Sequence, residues 1–185
     1  TRDEKLRIFF QIRGKEYFSK VISAGKGMND VSIDLTGMPI GVAQITLFDS
    51  KEIPRAERLV FVNKHKQLSL NIKTDKEKYL PREKVKMTIT ATDETGMRMP
   101  GNFSLTVSDD QLLSFADDKS STILSHMLLE SDVKGKIEEP RFYFDPKQQK
   151  ADRALDLLLM TQGWRRFTWR QITGDEIPSI SYPSE

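Results

Sequence analysis

The sequence predicts a mainly β chain of tandem β-sandwich units, with a C-terminal helical extension packed on the second. Three observations carry this: short runs of alternating apolar and polar residues, turn-forming clusters between them, and a late change to helical periodicity. Alternation places one set of side chains on each face of a strand. Short strands at this spacing read as sandwiches. A 185-residue chain that is 37% hydrophobic and 30% charged also has the large surface share of small sandwiches rather than one large α/β core.

Leu6, Ile8, Phe10 and Ile12 alternate with Arg7, Phe9, Gln11 and Arg13. Val85, Met87, Ile89 and Ala91 alternate with Lys86, Thr88, Thr90 and Thr92, and Phe103, Leu105 and Val107 with Ser104, Thr106 and Ser108. Each pattern predicts an antiparallel strand with one buried and one wet face. Further strands are expected at 17–22, 31–35, 42–48, 59–62 and 68–72. Turn clusters such as Gly25-Lys26-Gly27, Gly37-Met38-Pro39 and Asp93-Glu94-Thr95-Gly96 punctuate them.

A faint internal echo is present. Ile45-Thr46-Leu47-Phe48-Asp49 leads through a turn and Pro54 to one strand, and Ile89-Thr90-Ala91-Thr92-Asp93 through a turn and Pro100 to another. An Asp at a strand end can bond the turn backbone, and a Pro fits where no ladder donor is needed. Chance likeness of two hairpins and descent from two related modules both explain it. The second places a boundary near Lys64-His65-Lys66-Gln67, giving units over 1–66 and 67–185.

Beyond Asp110 the period changes. Ile123, Leu124, Met127 and Leu128 have helical spacing, with Gly135 as a stop. Asp145-Pro146 reads as an N-cap and first-turn proline opening a helix that Gly163 ends. Leu155, Leu158 and Leu159 demand cover, expected from the second β unit. Leu157 and Met160 widen the apolar surface, as in a helix buried on more than one side.

The run Thr74-Asp75-Lys76-Glu77-Lys78-Tyr79-Leu80-Pro81-Arg82-Glu83-Lys84-Val85 resembles the opening of the second macroglobulin-like domain of α2-macroglobulin and complement proteins. That opening reads Thr-Asp-Lys, then Tyr-x-Pro-x-Glu/Gln-x-Val, then a strand. The preceding Leu59-Val60-Phe61-Val62-Asn63 resembles the last strand of an upstream macroglobulin-like domain, so the likeness covers roughly residues 40–110. The segments 129–135, 140–144 and 159–167 are similar to the N-terminal region of large bacterial surface chains. In those chains macroglobulin-like modules precede a plug-like domain of TonB-dependent outer-membrane receptors. The resemblance implies immunoglobulin-like sandwich modules in the periplasm or outer membrane of a Gram-negative bacterium. It departs from the protease-trapping macroglobulins: without cysteine there is no thioester, and no bait region is recognisable.

Several function classes are disfavoured. Formal net charge is +2, with 12 of the 29 basic and 8 of the 27 acidic residues before Gln67, so neither part has the one-sided basic charge of a nucleic-acid binder. Absent cysteine removes thiolate nucleophiles and Cys-ligated metals. No apolar run reaches the ~18–20 residues of a membrane-spanning helix. His65 and His126 are the only histidines, and no Gly-x-Ser-x-Gly, His-Glu-x-x-His or phosphate-loop motif occurs. Ser125 beside His126 is a pair of helix neighbours rather than a triad. No catalytic residue, cofactor or metal is therefore expected. Asp109-Asp110 and Asp117-Asp118 bracket an apolar segment; calcium is one reading and strand-end or helix-start chemistry the other.

Trp164, Arg165, Arg166, Phe167 and Trp169 form the one candidate interaction surface, because Trp and Arg dominate binding hot spots. The competing reading is a packed aromatic edge crossed by arginine stems. The expected function is a non-enzymatic spacer, scaffold or docking module of a larger envelope protein, within TonB-dependent transport. Its partners would be other domains of the same chain, envelope proteins or an imported substrate. The alternatives are a glycan- or peptide-binding module, or a fragment of a macroglobulin-type protease inhibitor.

Overall fold

The N-terminal alternating run forms β1 (Glu4–Ile12) and turns directly into β2 (Lys15–Ala24). Arg13 and Gly14 both have positive φ, at 51° and 81°. That is the requirement of a two-residue hairpin whose twist matches its strands. The chain then crosses to β3 (Gly41–Phe48) and β4 (Pro54–Val62), giving an antiparallel sheet in the order β2-β1-β3-β4. A two-stranded antiparallel sheet follows, β5 (Ser69–Thr74) with β6 (Met87–Thr92). The computed structural model describes residues 4–109 and 120–162. These divide into two compact units, 4–63 together with 120–162, and 64–109.

In the first unit, both faces of the sheet are covered at one end, so Phe9, Phe10, Gln11 and Ile12 are all buried. The alternation of β1 predicts one wet face, and its polar Gln11 is instead enclosed. It donates to Gln44 Oε1 at 2.7 Å, and Gln44 donates on to Glu57. One face gathers Phe10, Ile12, Ala43 and Val62 beneath Met38, Ile33 and Leu35. Residues 31–35 thus alternate inward and outward as a strand would, yet join no ladder. They are fastened by Asn63 Nδ2, which donates to the carbonyls of Leu35 and Met38, both at 2.8 Å.

The opposite face is covered by helix. Thr122 and Ser125 cap each other at the start of α1 (Ile123–Ser125), which runs into a π-helical turn (His126–Glu130). A 3-10 turn (Pro140–Phe144) and α2 (Ala151–Thr161) complete the layer. Leu129, Val133, Ile137, Leu155 and Leu159 pack on Val42 of β3 and Leu59 of β4, with Phe61 and Phe144 at the edge. The helical extension therefore packs on the first sheet, correcting its expected place on the second β unit and the single domain over 67–185. Chain proximity pointed one way, and the uncovered apolar side chains of β3 and β4 decided it. The α2 start also differs. Asp145 Oδ1 accepts from Lys147 N at 2.9 Å and its carbonyl from Gln148 N at 3.1 Å, so the chain makes a tight turn before the helix opens at Ala151.

In the second unit, β6 starts at Met87, and Val85 sits in the preceding loop at 47% exposure. Residues 103–107 are not a strand. The bridge Thr92↔Arg98 and the bond from Met99 N to the Ala91 carbonyl begin an antiparallel return along β6. Pro100 supplies no donor to continue it, and Phe103, Leu105 and Val107 are exposed and pair with no strand among the described residues.

Candidate functional site

The two antiparallel sheets end in the same turn. Asp49 Oδ1 accepts from Lys51 N and Ile53 N at 2.8 and 3.0 Å, and Asp93 Oδ1 from Thr95 N and Met97 N, both at 2.9 Å. The fourth residue has positive φ in each, Glu52 at 58° and Gly96 at 84°. The echo in the sequence is thus an echo in hydrogen bonding. These bonds, the Ile53 amide foremost at Asp49 and the Thr95 hydroxyl at Asp93, hold both carboxyls below the usual range. The role of each is to close a hairpin.

The loop between β5 and β6 is braced throughout. Tyr79 OH donates to Asp75 Oδ1 at 2.6 Å and accepts from Lys76 N at 2.9 Å, while Lys86 N donates to the same Asp75 oxygen at 3.0 Å. Glu83 pairs with Lys76 and accepts from Leu80 N at 2.8 Å. Tyr79 chiefly lowers the Asp75 carboxyl, and Lys76 that of Glu83. Glu83 N donates to the Leu80 carbonyl at 3.0 Å, closing a turn with Pro81 second and Arg82 third. Arg82 has φ 65°, where such turns favour glycine.

The sheet of this unit has two unlike faces. The register pairs Leu70 with Ala91, Ile72 with Ile89 and Thr74 with Met87; between them Ser69 faces Thr92, Asn71 faces Thr90 and Lys73 faces Thr88. One face is therefore polar and the other apolar. On the apolar one the β5 side chains are uncovered, Leu70 at 53% and Ile72 at 55% exposure, whereas Ala91 of β6 is buried.

In the first unit, a cleft of about 520 Å³ is lined by Ser120, Ser121, Glu130, Lys136 and Glu138 among others. Glu130 accepts from Ser121 Oγ at 2.7 Å and from Ser125 Oγ at 2.9 Å. Ser125 is fully buried and its hydroxyl serves the α1 cap. Tyr143 is raised by burial and by the nearby Glu138 charge. No signal in the sequence pointed to this cleft, because it forms from loop residues without any motif.

His65 and His126 are both exposed and belong to different units. Among the described residues no three His, Asp or Glu side chains are grouped to hold a metal. Asp109 is exposed, whereas Asp110, Asp117 and Asp118 lie outside the described residues. So do Trp164, Arg165, Arg166, Phe167 and Trp169, together with Gly163. No described helix is long and apolar enough to cross a membrane. No family model, curated protein or solved structure matches the chain.

Proposed function

We propose that this chain is a non-catalytic docking and spacer piece of a larger envelope protein, built from macroglobulin-like modules. The observation that carries the reading is the exposure of Leu70 and Ile72 on the apolar face of the β5–β6 sheet. Two strands alone are marginal in water, and a sheet polar on one face and apolar on the other is half of a sandwich. Phe103, Leu105 and Val107, alternating but pairing with no strand among the described residues, are material for the missing half. On this reading further strands come from other domains of the same chain and complete an immunoglobulin-like sandwich.

The braced 75–86 loop supports the macroglobulin resemblance, since Thr74, Asp75, Lys76, Tyr79 and Glu83 of the motif all make hydrogen bonds there. That resemblance in turn supports a Gram-negative periplasmic or outer-membrane setting and a role beside TonB-dependent transport. The test is hydrogen exchange at β5 and β6, in this chain and in the full-length gene product. Slower exchange by at least a hundredfold in the longer protein is expected. Equal exchange in both would sink the docking reading.

A further inference from the structure

The second unit carries a feature that the docking reading does not use, at the tip of the braced loop. Leu80 is 76% exposed, although Pro81 and the bonds from Leu80 N to Glu83 and from Glu83 N to Leu80 O fix its backbone. In the same loop Lys78, Arg82 and Lys84 are exposed, as is Lys86 at its base opposite Asp75. The acids of the loop are mostly occupied internally, Asp75 by Tyr79 and Lys86 N, and Glu83 by Lys76. Glu77 is the remaining acid of the loop and is exposed. Arg82 also occupies a left-handed position at φ 65°, which an arginine tolerates less readily than glycine. A braced loop thus presents the exposed Leu80 with exposed cations at positions 78, 82 and 84 of the same loop.

We infer that this loop docks on an anionic phospholipid surface, with Leu80 entering the headgroup boundary and the cations of the loop meeting lipid phosphates. Charge complementarity selects this occupant. Lysine is depleted in protein–protein interfaces and leucine is under-represented among their hot spots, whereas basic clusters beside apolar side chains suit anionic bilayers. Each cation at such a surface strengthens binding about fivefold. Because the loop is held by its own hydrogen bonds, little ordering cost opposes docking.

The chain has no cysteine, so Leu80→Cys accepts one environment-sensitive dye, and Met28→Cys, at a 92% exposed position of the other unit, serves as control. The full chain is mixed with vesicles of phosphatidylglycerol and, separately, of phosphatidylcholine. Expected are a blue shift of the dye at position 80 on the anionic vesicles only, and none at position 28. Replacing Lys78, Arg82 and Lys84 together by Gln should weaken binding about a hundredfold. Raising salt on the unsubstituted chain should weaken it too, without any question of misfolding. A shift at both positions, a shift on neutral vesicles, or none at position 80 overturns the inference. Binding of soluble polyglutamate with no shift on any vesicle would assign the loop to an acidic protein and equally overturn it.

Discussion

Arg13 and Asp132 meet across 119 residues of chain, Nε donating to Oδ2 at 3.1 Å, while Arg13 Nη2 also donates to the Met127 carbonyl at 2.8 Å. Arg13 sits in the β1–β2 hairpin turn, so this contact ties the earliest hairpin to the helical layer. Asp132 has an 8% exposed side chain and Arg13 one of 43%, so solvent screens the pair in part. A double-mutant cycle with Arg13→Met and Asp132→Asn should give a coupling of about 1 kcal/mol, read from urea denaturation. Zero coupling would mean that the contact aligns the layer without stabilising it.

Burial separates neighbouring leucines of α2. Leu155 is 2% exposed and packs on the first sheet, whereas Leu157 is 52% exposed. Leu155→Ala should lower stability by about 2–5 kcal/mol, and Leu157→Ala by about 0.5 kcal/mol or less. The loss should appear in the first sheet, seen as faster amide exchange in β3 and β4 with β5 and β6 unchanged. Loss of protection in β5 and β6 instead would return the helix to the second unit.

Thr46 is fully buried, and its hydroxyl has no hydrogen-bond partner among the described residues. Removing an unsatisfied buried hydroxyl at constant shape is neutral to stabilising. Thr46→Val should therefore raise stability by about 1 kcal/mol, measurable as a higher melting temperature. A fall of similar size would show that the hydroxyl is satisfied.

Much of the strand layout was legible because alternation is a local property. β1, β3 and β6 follow from Phe10, Val42 and Ile89, and the Asp49 and Asp93 turns from their side-chain chemistry. What failed was non-local. Residues 31–35 and 103–107 alternate as well as any strand, but a ladder needs a partner edge, and alternation says nothing of one. The docking of α2 failed for the same reason. Leu155 and Leu159 announce that they need cover, while the cover itself, Val42 and Leu59, lies about a hundred residues upstream. The apolar face at Leu70 and Ile72 was legible as strand but not as uncovered, since exposure is a property of the assembled sheet.

The paired turns give a pH dependence with a definite sign. Asp49 and Asp93 have carboxyls lowered in the folded chain, Asp49 chiefly by the Ile53 amide with Arg55 adding at 2.7 Å, and Asp93 chiefly by the Thr95 hydroxyl with backbone amides adding. A folded-state value below the unfolded one means that the folded form holds its proton less tightly. The stability each contributes is then present above the ordinary carboxylate range, about pH 4, and is lost as pH falls through the lowered value. Asp75 and Glu83 add to the same trend in the second unit. Denaturation midpoints should hold steady between pH 7 and pH 5 and decline below about pH 4. Asp49→Asn keeps an acceptor oxygen for the Lys51 and Ile53 amides but removes the titrating charge. It should be less stable than the parent at pH 7 and approach it at low pH, so that the two curves converge. The difference should register in β3 and β4 exchange, and that of Asp93→Asn in β5 and β6. Parallel curves, with the same gap at every pH, would show that the carboxylate charge of Asp49 contributes nothing to the turn.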